Sequence, residues 1–326
     1  MQTKVYLLLL SLVIFTGCSS KQYFEPETTH KFKQKDFDLE SSIIHLNSDG
    51  ATLENHNFIS SKGIIPNKKA NFKFLNFVDN TIISSNNAKI NLKSDDMDQS
   101  FSFEKDIISA SKYKNLLAFS SIDNSITLFN IETKKVLFKE YLSPSLINNT
   151  KIANPIFLNT VVLYPTLDGK IVIVDLQKNA IVKTINIDPK SDVNNIIFLK
   201  EINDILIAAT SEKLFTFENG KVNLKDIDVQ DIIVHKNNIY IATLDGQISK
   251  YDFSLNKISS KKFKFAKIEA LAFGTYLYAL ESQEFLIRIS EDFKDVKIFN
   301  FSFDNEEKVI AIENTIYFED KYIILK

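Results

Sequence analysis

Short apolar and alternating segments, separated by polar turns, recur along most of this chain. In the stretch 159–187, an apolar run is followed by Asp168-Gly169, an alternating run, a second polar turn and a last apolar run. Period-two alternation indicates half-buried β-strands. Asp-Gly favours two-residue hairpin turns, in which both central residues need positive φ. The pattern therefore predicts a series of antiparallel hairpins.

The same order of strands and turns repeats along the chain. The tetrapeptide TLDG occurs at 166–169 and again at 243–246, and the stretch 237–265 matches 159–187 in pattern. Further copies cover 114–142, 203–227, 274–301 and, in degraded form, 79–106. The central hairpins are centred near Asn86, Asp123, Asp168, Ser211, Asp245, Gln283 and Asp320, with gaps of 37, 45, 43, 34, 38 and 37 residues. A four-stranded repeat of about forty residues is typical of a β-propeller blade.

The sequence predicts an all-β fold, a β-propeller of eight four-stranded blades. The count depends on a shortened copy at 50–66; without it there are seven blades. The last copy, 306–326, supplies only three strands, and the run 30–39 could add the missing outer strand. Such closure removes an edge of unpaired backbone groups. An irregular pair of β-sandwiches is the alternative, but it does not explain the regular spacing or the spare N-terminal strand.

The first residues have the features of a processing signal. Lys4 precedes an apolar run at 5–15, and small residues come just before Cys18. The run is too short to span a bilayer. The stretch FTGC at 15–18 resembles the lipobox of bacterial lipoproteins, although Phe15 replaces the commoner Leu. The alternative is an ordinary signal peptide with a chance cysteine.

The lipobox resemblance implies a division of the chain. Residues 1–17 would be a lipoprotein signal peptide, cleaved before Cys18, whose sulfur and new amino group would then be acylated. Ser19 follows the cysteine, which in the lipoprotein sorting pattern favours the outer membrane. Residues 18–30 would form a polar tether. We expect residues 31–326 to form a single propeller domain.

Composition excludes several classes of function. The formal net charge is −2 and Arg288 is the only arginine, so no basic stripe indicates a nucleic-acid partner. Cys18 is the only cysteine, and the four histidines form no closely spaced pair, which argues against a disulfide framework and a catalytic zinc site. We therefore predict no metal and no cofactor.

One repeat carries a family resemblance. The stretch LFNIETKKVLFKEYL at 128–142 resembles the quinoprotein-type (PQQ-like) repeat, with Asn130 ending a strand, Thr133 opening the turn and Phe138 in the usual Trp place. The stretches 174–185 and 250–263 are weaker versions. Two families share this repeat: quinone-dependent dehydrogenases, and the BamB-type lipoprotein propellers of the outer-membrane β-barrel assembly machinery.

The dehydrogenase resemblance does not extend to the cofactor site. That family holds its quinone with arginine, a Ca²⁺ site of carboxylates, stacking tryptophan and often a vicinal disulfide. This chain has no Trp, one Arg and one Cys. It also has no GxSxG, P-loop, GxGxxG or HExxH motif. We predict a non-catalytic protein; a propeller enzyme with a site in its central channel is a further alternative.

Two stretches are candidates for partner binding. The connection 143–155 is the longest between copies and would form a loop on one rim, where we single out Ser143, Leu146, Ile147 and Asn148. The stretch 261–267 alternates Lys with Phe263 and Phe265. We interpret it as an outer strand, either simply half-buried or an edge that accepts a partner's strand by β-augmentation.

Together these features predict a lipid-anchored scaffold on the periplasmic face of the outer membrane, a monomer that binds protein partners in an envelope complex. The BamB-type resemblance implies an accessory role in outer-membrane β-barrel assembly. A lipoprotein propeller of another envelope or surface complex is the alternative.

Overall fold

The computed structural model describes residues 23–147, 149–189 and 194–326, in which every regular element is a β-strand. These residues form 33 strands in eight sheets. Within this part of the chain no helix is long and apolar enough to cross a membrane. The eight sheets are the blades of a β-propeller, as the repeat predicts.

Blades 1 to 4 follow the chain in order, and in each the strands pair antiparallel with their neighbours. They consist of β3 (Ile43–Leu46), β4 (Ala51–Leu53), β5 (Phe58–Ser60) and β6 (Gly63–Ile65); β7 (Lys73–Val78), β8 (Thr81–Asn86), β9 (Lys89–Lys93) and β10 (Asp98–Ser102); β11 (Ile107–Tyr113), β12 (Leu116–Ser121), β13 (Ser125–Asn130) and β14 (Lys135–Tyr141); and β15 (Ile156–Leu158), β16 (Val161–Pro165), β17 (Lys170–Asp175) and β18 (Ala180–Asn186).

Blades 5 to 8 complete the ring and include two short strands from the N-terminal part of the chain. They consist of β19 (Phe198–Ile202), β20 (Ile205–Ala209), β21 (Lys213–Glu218) and β22 (Lys221–Asp226); β23 (Asp231–His235), β24 (Asn238–Ala242), β25 (Gln247–Tyr251) and β26 (Lys257–Lys262); β27 (Ile268–Phe273), β28 (Leu277–Glu281), β29 (Phe285–Ile289) and β30 (Val296–Asn300) with β1 (His30–Lys31); and β31 (Val309–Ile312), β32 (Thr315–Phe318) and β33 (Lys321–Ile324) with β2 (Phe37–Asp38).

The core is divided among the spaces between neighbouring blades. Each sheet has two faces, and alternating apolar residues on both faces pack against the next blade on either side. A buried cluster lies at each blade boundary. The cluster that joins blade 8 to blade 1 contains Ile310 and Tyr317 from one blade and Ile43 and Ile59 from the other. The blades therefore form a closed ring, and the copy at 50–66 belongs to a true blade.

The predicted closure by the N-terminal run is confirmed. Strand β2 pairs antiparallel with β33, with Phe37 opposite Tyr322, and becomes the fourth strand of blade 8. The rings of these two residues stack with centroids 5.2 Å apart. The structure adds a contact that was not predicted: β1 pairs in parallel with β30 on the outer edge of blade 7. The run 30–39 therefore supplies a strand to each of two neighbouring blades.

The Asp-Gly turns differ from the prediction in detail. The backbone N–H of Thr166 donates to the carbonyl oxygen of Lys170 at 3.0 Å, so three residues, not two, form the loop. Only Gly169 takes positive φ (73°), whereas Asp168 does not. The matching loop after Thr243 has the same form, with Gly246 at φ 79°. Three-residue hairpin loops require the left-handed conformation at one position, which glycine fills without steric cost.

Candidate protein-binding rim

The strand order gives the ring two different rims. In each blade, the turn between the second and third strands lies at the same end as the connector to the next blade. We call this end the connector rim. The remaining turns within the blades, which join the first strand to the second and, in blades 1 to 7, the third to the fourth, lie at the opposite rim. The predicted site residues Ser143, Leu146 and Ile147 lie in the connector from β14 to β15, and Phe263 and Phe265 lie in that from β26 to β27.

The connector from β14 to β15 is held at its start by the turns on either side. Asn124, in the β12–β13 turn, donates from Nδ2 to the carbonyl oxygen of Ser143 at 2.8 Å. The hydroxyl of Ser145 donates to the carbonyl oxygen of Leu167, in the β16–β17 turn, at 3.0 Å. The backbone N–H of Leu167 in turn donates to Oδ1 of Asn124 at 2.9 Å. The first part of the connector is thus bonded to blades 3 and 4 together.

The second half of this connector is held by one buried side chain. Asn195, which is fully buried, accepts a hydrogen bond at Oδ1 from the backbone N–H of Asn149 at 2.8 Å. Its Nδ2 atom donates to the carbonyl oxygens of Asn149 and Lys151, each at 3.1 Å. An asparagine amide has both donors and an acceptor, so a single side chain can satisfy three backbone groups here.

Between these two fixed points the connector presents apolar side chains to solvent. Leu146 is 74% exposed and Ile147 is 38% exposed. Ile122, in the neighbouring β12–β13 turn, is 49% exposed. We call these three residues the rim patch. Asn148, the other candidate in this loop, lies outside the described residues, as does the predicted lipidation residue Cys18. Apolar side chains on a loop with fixed ends suit protein binding, because little ordering remains to be done on contact.

The connector then enters the central channel. The Nζ atom of Lys151 lies 2.6 Å from Oδ1 of Asp231, at the start of β23 in blade 6. The other carboxylate oxygen of Asp231 accepts the backbone N–H of Leu271, in blade 7, at 2.7 Å. Lys151 therefore links the connector to blade 6 through a carboxylate whose second oxygen is bonded to blade 7.

Asn154 links the same connector to blades 1, 2 and 3. Its Nδ2 atom donates to Oδ2 of Asp49 in blade 1 at 2.8 Å and to the carbonyl oxygen of Leu75 in blade 2 at 2.9 Å. Its Oδ1 atom accepts the backbone N–H of Ala110 in blade 3 at 3.0 Å. Lys151 and Asn154 thus tie one connector directly to three blades besides those it joins, namely blades 1, 2 and 6.

A cavity of about 480 Å³ lies among the innermost strands. Two of its lining carboxylates form ion pairs: Asp231 with Lys151, and Glu269 with Lys267 at 2.8 Å. His235 stacks on Phe273 with ring centroids 3.8 Å apart, and burial lowers the pKa of its imidazole. Among the described residues, no group of three or more His, Cys, Asp or Glu side chains is placed to hold a metal ion.

The second predicted stretch, 261–267, does not form the outer strand that the sequence predicts. Strand β26 ends at Lys262, so Phe263 and Phe265 lie in the connector to β27 and not in an outer strand edge. Phe263 is 5% exposed and packs edge-on to Phe24, whereas Phe265 is 38% exposed with φ 66°. A partner can contact Phe265 at the rim, but Phe263 is part of the core. The two aromatics divide in this way because the chain leaves the sheet between them.

Several residues of the rim escaped the sequence analysis. Asn124, Asn154 and Asn195 were not singled out from the sequence, yet these residues hold the longest connector in place. No local pattern marks them, since their partners are distant in sequence. Leu244, 63% exposed in the second TLDG turn, was also missed. Leu244 could have been identified from the sequence, because an apolar residue inside a hairpin turn is expected to be exposed.

The fold and rim define the class of this protein: an eight-bladed β-propeller. Solved structures that share the fold include the following three. BamB from Moraxella catarrhalis is 13% identical, with a TM-score of 0.63, covering 91% of this chain and 100% of that one. The C-terminal WD40 domain of Sif2 is 12% identical (TM-score 0.64; 92% and 99%), and the computationally designed Ika8 protein is 11% identical (TM-score 0.62; 91% and 98%).

Sequence comparison points to a particular pair of relatives. Two proteins named plasminogen-binding protein PgbB, from Helicobacter pylori strains J99 and 26695, are each 29% identical to this chain over 380 and 379 aligned positions. Each alignment covers 97% of this chain and 70% of the relative. No family model matches the sequence.

Proposed function

We propose that this protein is a non-catalytic, lipid-anchored scaffold of the cell envelope that binds protein partners through its connector rim. The observation that carries the proposal is Leu146: its side chain is 74% exposed on a loop held at one end by a hydrogen bond from Asn124 and at the other by hydrogen bonds with Asn195. In this proposal the anchor is the lipid on Cys18, at the periplasmic face of the outer membrane. The lipobox resemblance supports the anchor.

The energetics of the rim patch favour a protein partner. Full burial of a leucine side chain contributes roughly 1.5–3 kcal/mol to association. A flexible loop would lose part of that gain through ordering, at roughly 0.5–1.5 kcal/mol for each immobilised side chain. The loop around Leu146 is already fixed to blades 3 and 4 before a partner arrives. Leu146, Ile147 and Ile122 can therefore act together as an apolar contact.

The non-catalytic part of the proposal rests on how the channel uses its charges. The carboxylate of Asp231 accepts hydrogen bonds from Nζ of Lys151 and from the backbone N–H of Leu271. Asp49 is occupied by Asn154. These side chains hold the connector across the channel, and a general acid or base needs a group free to exchange a proton with a substrate. These two carboxylates of the channel thus serve the shape of the rim.

The most specific form of the proposal is a BamB-like accessory role in outer-membrane β-barrel assembly. It is supported by the quinoprotein-type repeat at 128–142 and the lipobox at 15–18. The structural likeness to BamB supports the propeller shape only. The rim patch would contact a membrane-embedded partner, and the lipid would raise the local concentration of the scaffold at the membrane.

A second candidate partner is plasminogen. It is favoured by the two relatives named plasminogen-binding proteins, which align with 97% of this chain. This candidate belongs to the same class of function, since it requires a propeller that binds a protein at the cell surface. It differs in the partner and in the side of the envelope on which binding occurs.

The test is co-purification of the tagged full chain from detergent-solubilised envelopes, with partners identified by mass spectrometry and plasminogen capture measured in parallel. Leu146→Asp should lower recovery of the specific partner at least about tenfold, equivalent to ~1.4 kcal/mol. Leu224→Asp is the matched control, because Leu224 is 48% exposed on the outer strand of blade 5, away from the rim. Equal recovery with both variants would contradict binding through the rim patch.

The identity of the recovered protein decides between the candidates. Recovery of barrel-assembly subunits that depends on Leu146 supports the BamB-like role. Recovery of a different envelope complex overturns that role while leaving the scaffold function in place. Capture of plasminogen that depends on Leu146 supports the second candidate.

A further inference from the structure

The described chain begins at a fixed point on the connector rim. The backbone N–H of Phe24 donates to Oε1 of Gln283, in the β28–β29 turn, at 2.9 Å. Its ring packs edge-on to Phe263 at 6.1 Å and to Phe285 at 5.6 Å. Phe24 is 7% exposed, whereas Tyr23 is 53% exposed. The stretch predicted as a tether is thus docked between blades 6 and 7 at Phe24.

Covalent geometry limits how far Cys18 can lie from this point. Tyr23 lies five positions after Cys18, and an extended chain spans at most about 3.6 Å for each position, or about 18 Å in all. A five-residue strand such as β28 is itself about 17 Å long. A lipid on Cys18 therefore cannot bring the bilayer against the opposite rim unless the tether runs the full height of the ring.

The surface beside this point is apolar and cationic. Leu244 is 63% exposed and Phe265 is 38% exposed. Their two loops are joined, since the backbone N–H of Phe263 donates to the carbonyl oxygen of Gly246 at 2.9 Å. Lys264 lies over the ring of Phe265, with Nζ 4.6 Å from the centroid. We call the surface formed by Tyr23, Leu244, Lys261, Lys264 and Phe265 the anchor corner.

The charge of the anchor corner differs from that of the neighbouring sector. Within the described part of the chain, Lys261 and Lys264 have no acidic partner, whereas Lys262 pairs with Asp245 and Lys267 with Glu269. The next sector of the rim, between blades 7 and 8, instead carries Glu284, Asp304 and Glu319 around one shallow pocket. Exposed lysine beside aromatic and leucine side chains is the composition of surfaces that rest on anionic lipid headgroups.

The backbone conformation of Phe265 sets the direction of its side chain. Phe265 has φ 66°, a left-handed turn conformation that Leu255 (φ 61°) and Phe293 (φ 63°) also adopt in other turns. The effect here is to turn one aromatic side chain outward at the rim while Phe263, two residues earlier, turns into the core.

We propose that the anchor corner lies on the surface of an anionic lipid bilayer, so that the propeller is held with its connector rim toward the membrane. This inference rests on the lipid anchor of the proposed function. The orientation also turns Leu146, on the same rim three blades away, toward the membrane, where a membrane-embedded partner can reach it.

The test uses the full chain, purified with its anchor and reconstituted into vesicles of phosphatidylethanolamine and phosphatidylglycerol. An environment-sensitive fluorophore is attached at Phe265→Cys or at Leu244→Cys. The control is Lys178→Cys, an exposed position in the β17–β18 turn at the opposite rim. We expect both corner positions to be quenched by lipid-borne nitroxide, and to be quenched by aqueous iodide about threefold less than position 178.

A further variant tests the charges. Lys261→Gln/Lys264→Gln should reduce the protection from iodide at position 244 and leave position 178 unchanged. Equal iodide quenching at 244, 265 and 178 in a chain whose mass shows an acylated Cys18 would overturn the orientation and leave the anchor intact. An unmodified Cys18 in the mature chain would overturn the anchor, and the orientation with it.

Discussion

The Nζ atom of Lys151 lies 2.6 Å from Oδ1 of Asp231, and this ion pair joins residues 80 positions apart across the central channel. Lys151 belongs to the connector that carries Leu146, and Asp231 begins the innermost strand of blade 6. The pair lies partly buried, with 31% and 14% of the two side chains exposed. It connects the proposed binding loop to blade 6, two blades beyond the blade that the loop enters.

We expect Lys151→Met to destabilise the protein by roughly 1–2 kcal/mol, because a mostly buried carboxylate keeps only one partner, the backbone N–H of Leu271. The expected loss of stability is small for a buried ion pair because both side chains retain contact with water. Chemical denaturation measures the loss. Lys178→Met, in an exposed turn, should change stability by less than about 0.5 kcal/mol. Equal midpoints for both variants would show that the ion pair contributes nothing.

Asp168 provides a test by pH. Burial raises the pKa of its carboxyl, but hydrogen bonds from Lys170, Thr166 and Asn124 outweigh this and hold the pKa below its ordinary value. A carboxyl group whose pKa is lower in the folded protein than in the unfolded chain stabilises the folded state at pH values above its unfolded-state pKa, about 3.9 for Asp. This stabilisation is lost as the pH falls through the folded-state pKa.

Asp168→Asn should therefore cost roughly 1–3 kcal/mol at pH 7, and its difference from the wild type should shrink below about pH 4. Denaturation at a series of pH values measures this difference. Asp95→Asn, in an exposed turn, is the control and should have little effect at pH 7. A difference that stays constant down to pH 3 would contradict a role for the charge of Asp168.

Closure of the ring can be tested at Leu39. This residue is 2% exposed and lies in the cluster between blades 8 and 1, and its backbone N–H donates to the carbonyl oxygen of Asp320 at 2.6 Å. Leu39→Ala should cost roughly 2–5 kcal/mol, because it leaves a cavity where the ring closes. Leu146→Ala makes the same change at an exposed site and should cost less than about 0.5 kcal/mol. Similar unfolding midpoints for the two variants would contradict the closure.

Two glycines in left-handed turns separate backbone strain from close packing. Gly220 has φ 81° and an added Cβ would meet nothing within 4 Å, so Gly220→Ala should cost roughly 1–2 kcal/mol from conformation alone. Gly246 has φ 79°, but its Cβ would lie 2.3 Å from the carbonyl oxygen of Phe263. Gly246→Ala should therefore cost roughly 1–3 kcal/mol more than Gly220→Ala. Calorimetric unfolding of both variants measures the difference, and equal losses would show that the contact can relax.

Local sequence patterns predict the blades of this protein, whereas contacts between distant residues leave no such pattern. The Asp-Gly turns, the regular spacing and the three-strand last copy were sufficient to predict eight blades and closure by the run that includes Phe37. The pairing of β1 with β30 was not predicted, because two residues carry no periodic signal. The assignment of Phe263 and Phe265 to one strand was wrong, because alternation continues past Lys262, where the strand ends.

The sequence by itself determined the strands, their turns, the repeat and the spare N-terminal strand, because alternation and turn residues act within a few positions of one another. Only the tertiary structure decided which of these residues form a binding surface. Asn124 reaches Ser143 over 19 positions, and Asn154 reaches Asp49 over 105. Contacts of that range depend on how the blades are arranged around the channel, and they determine that Leu146 is exposed on a fixed loop while Phe263 is buried beneath Phe24.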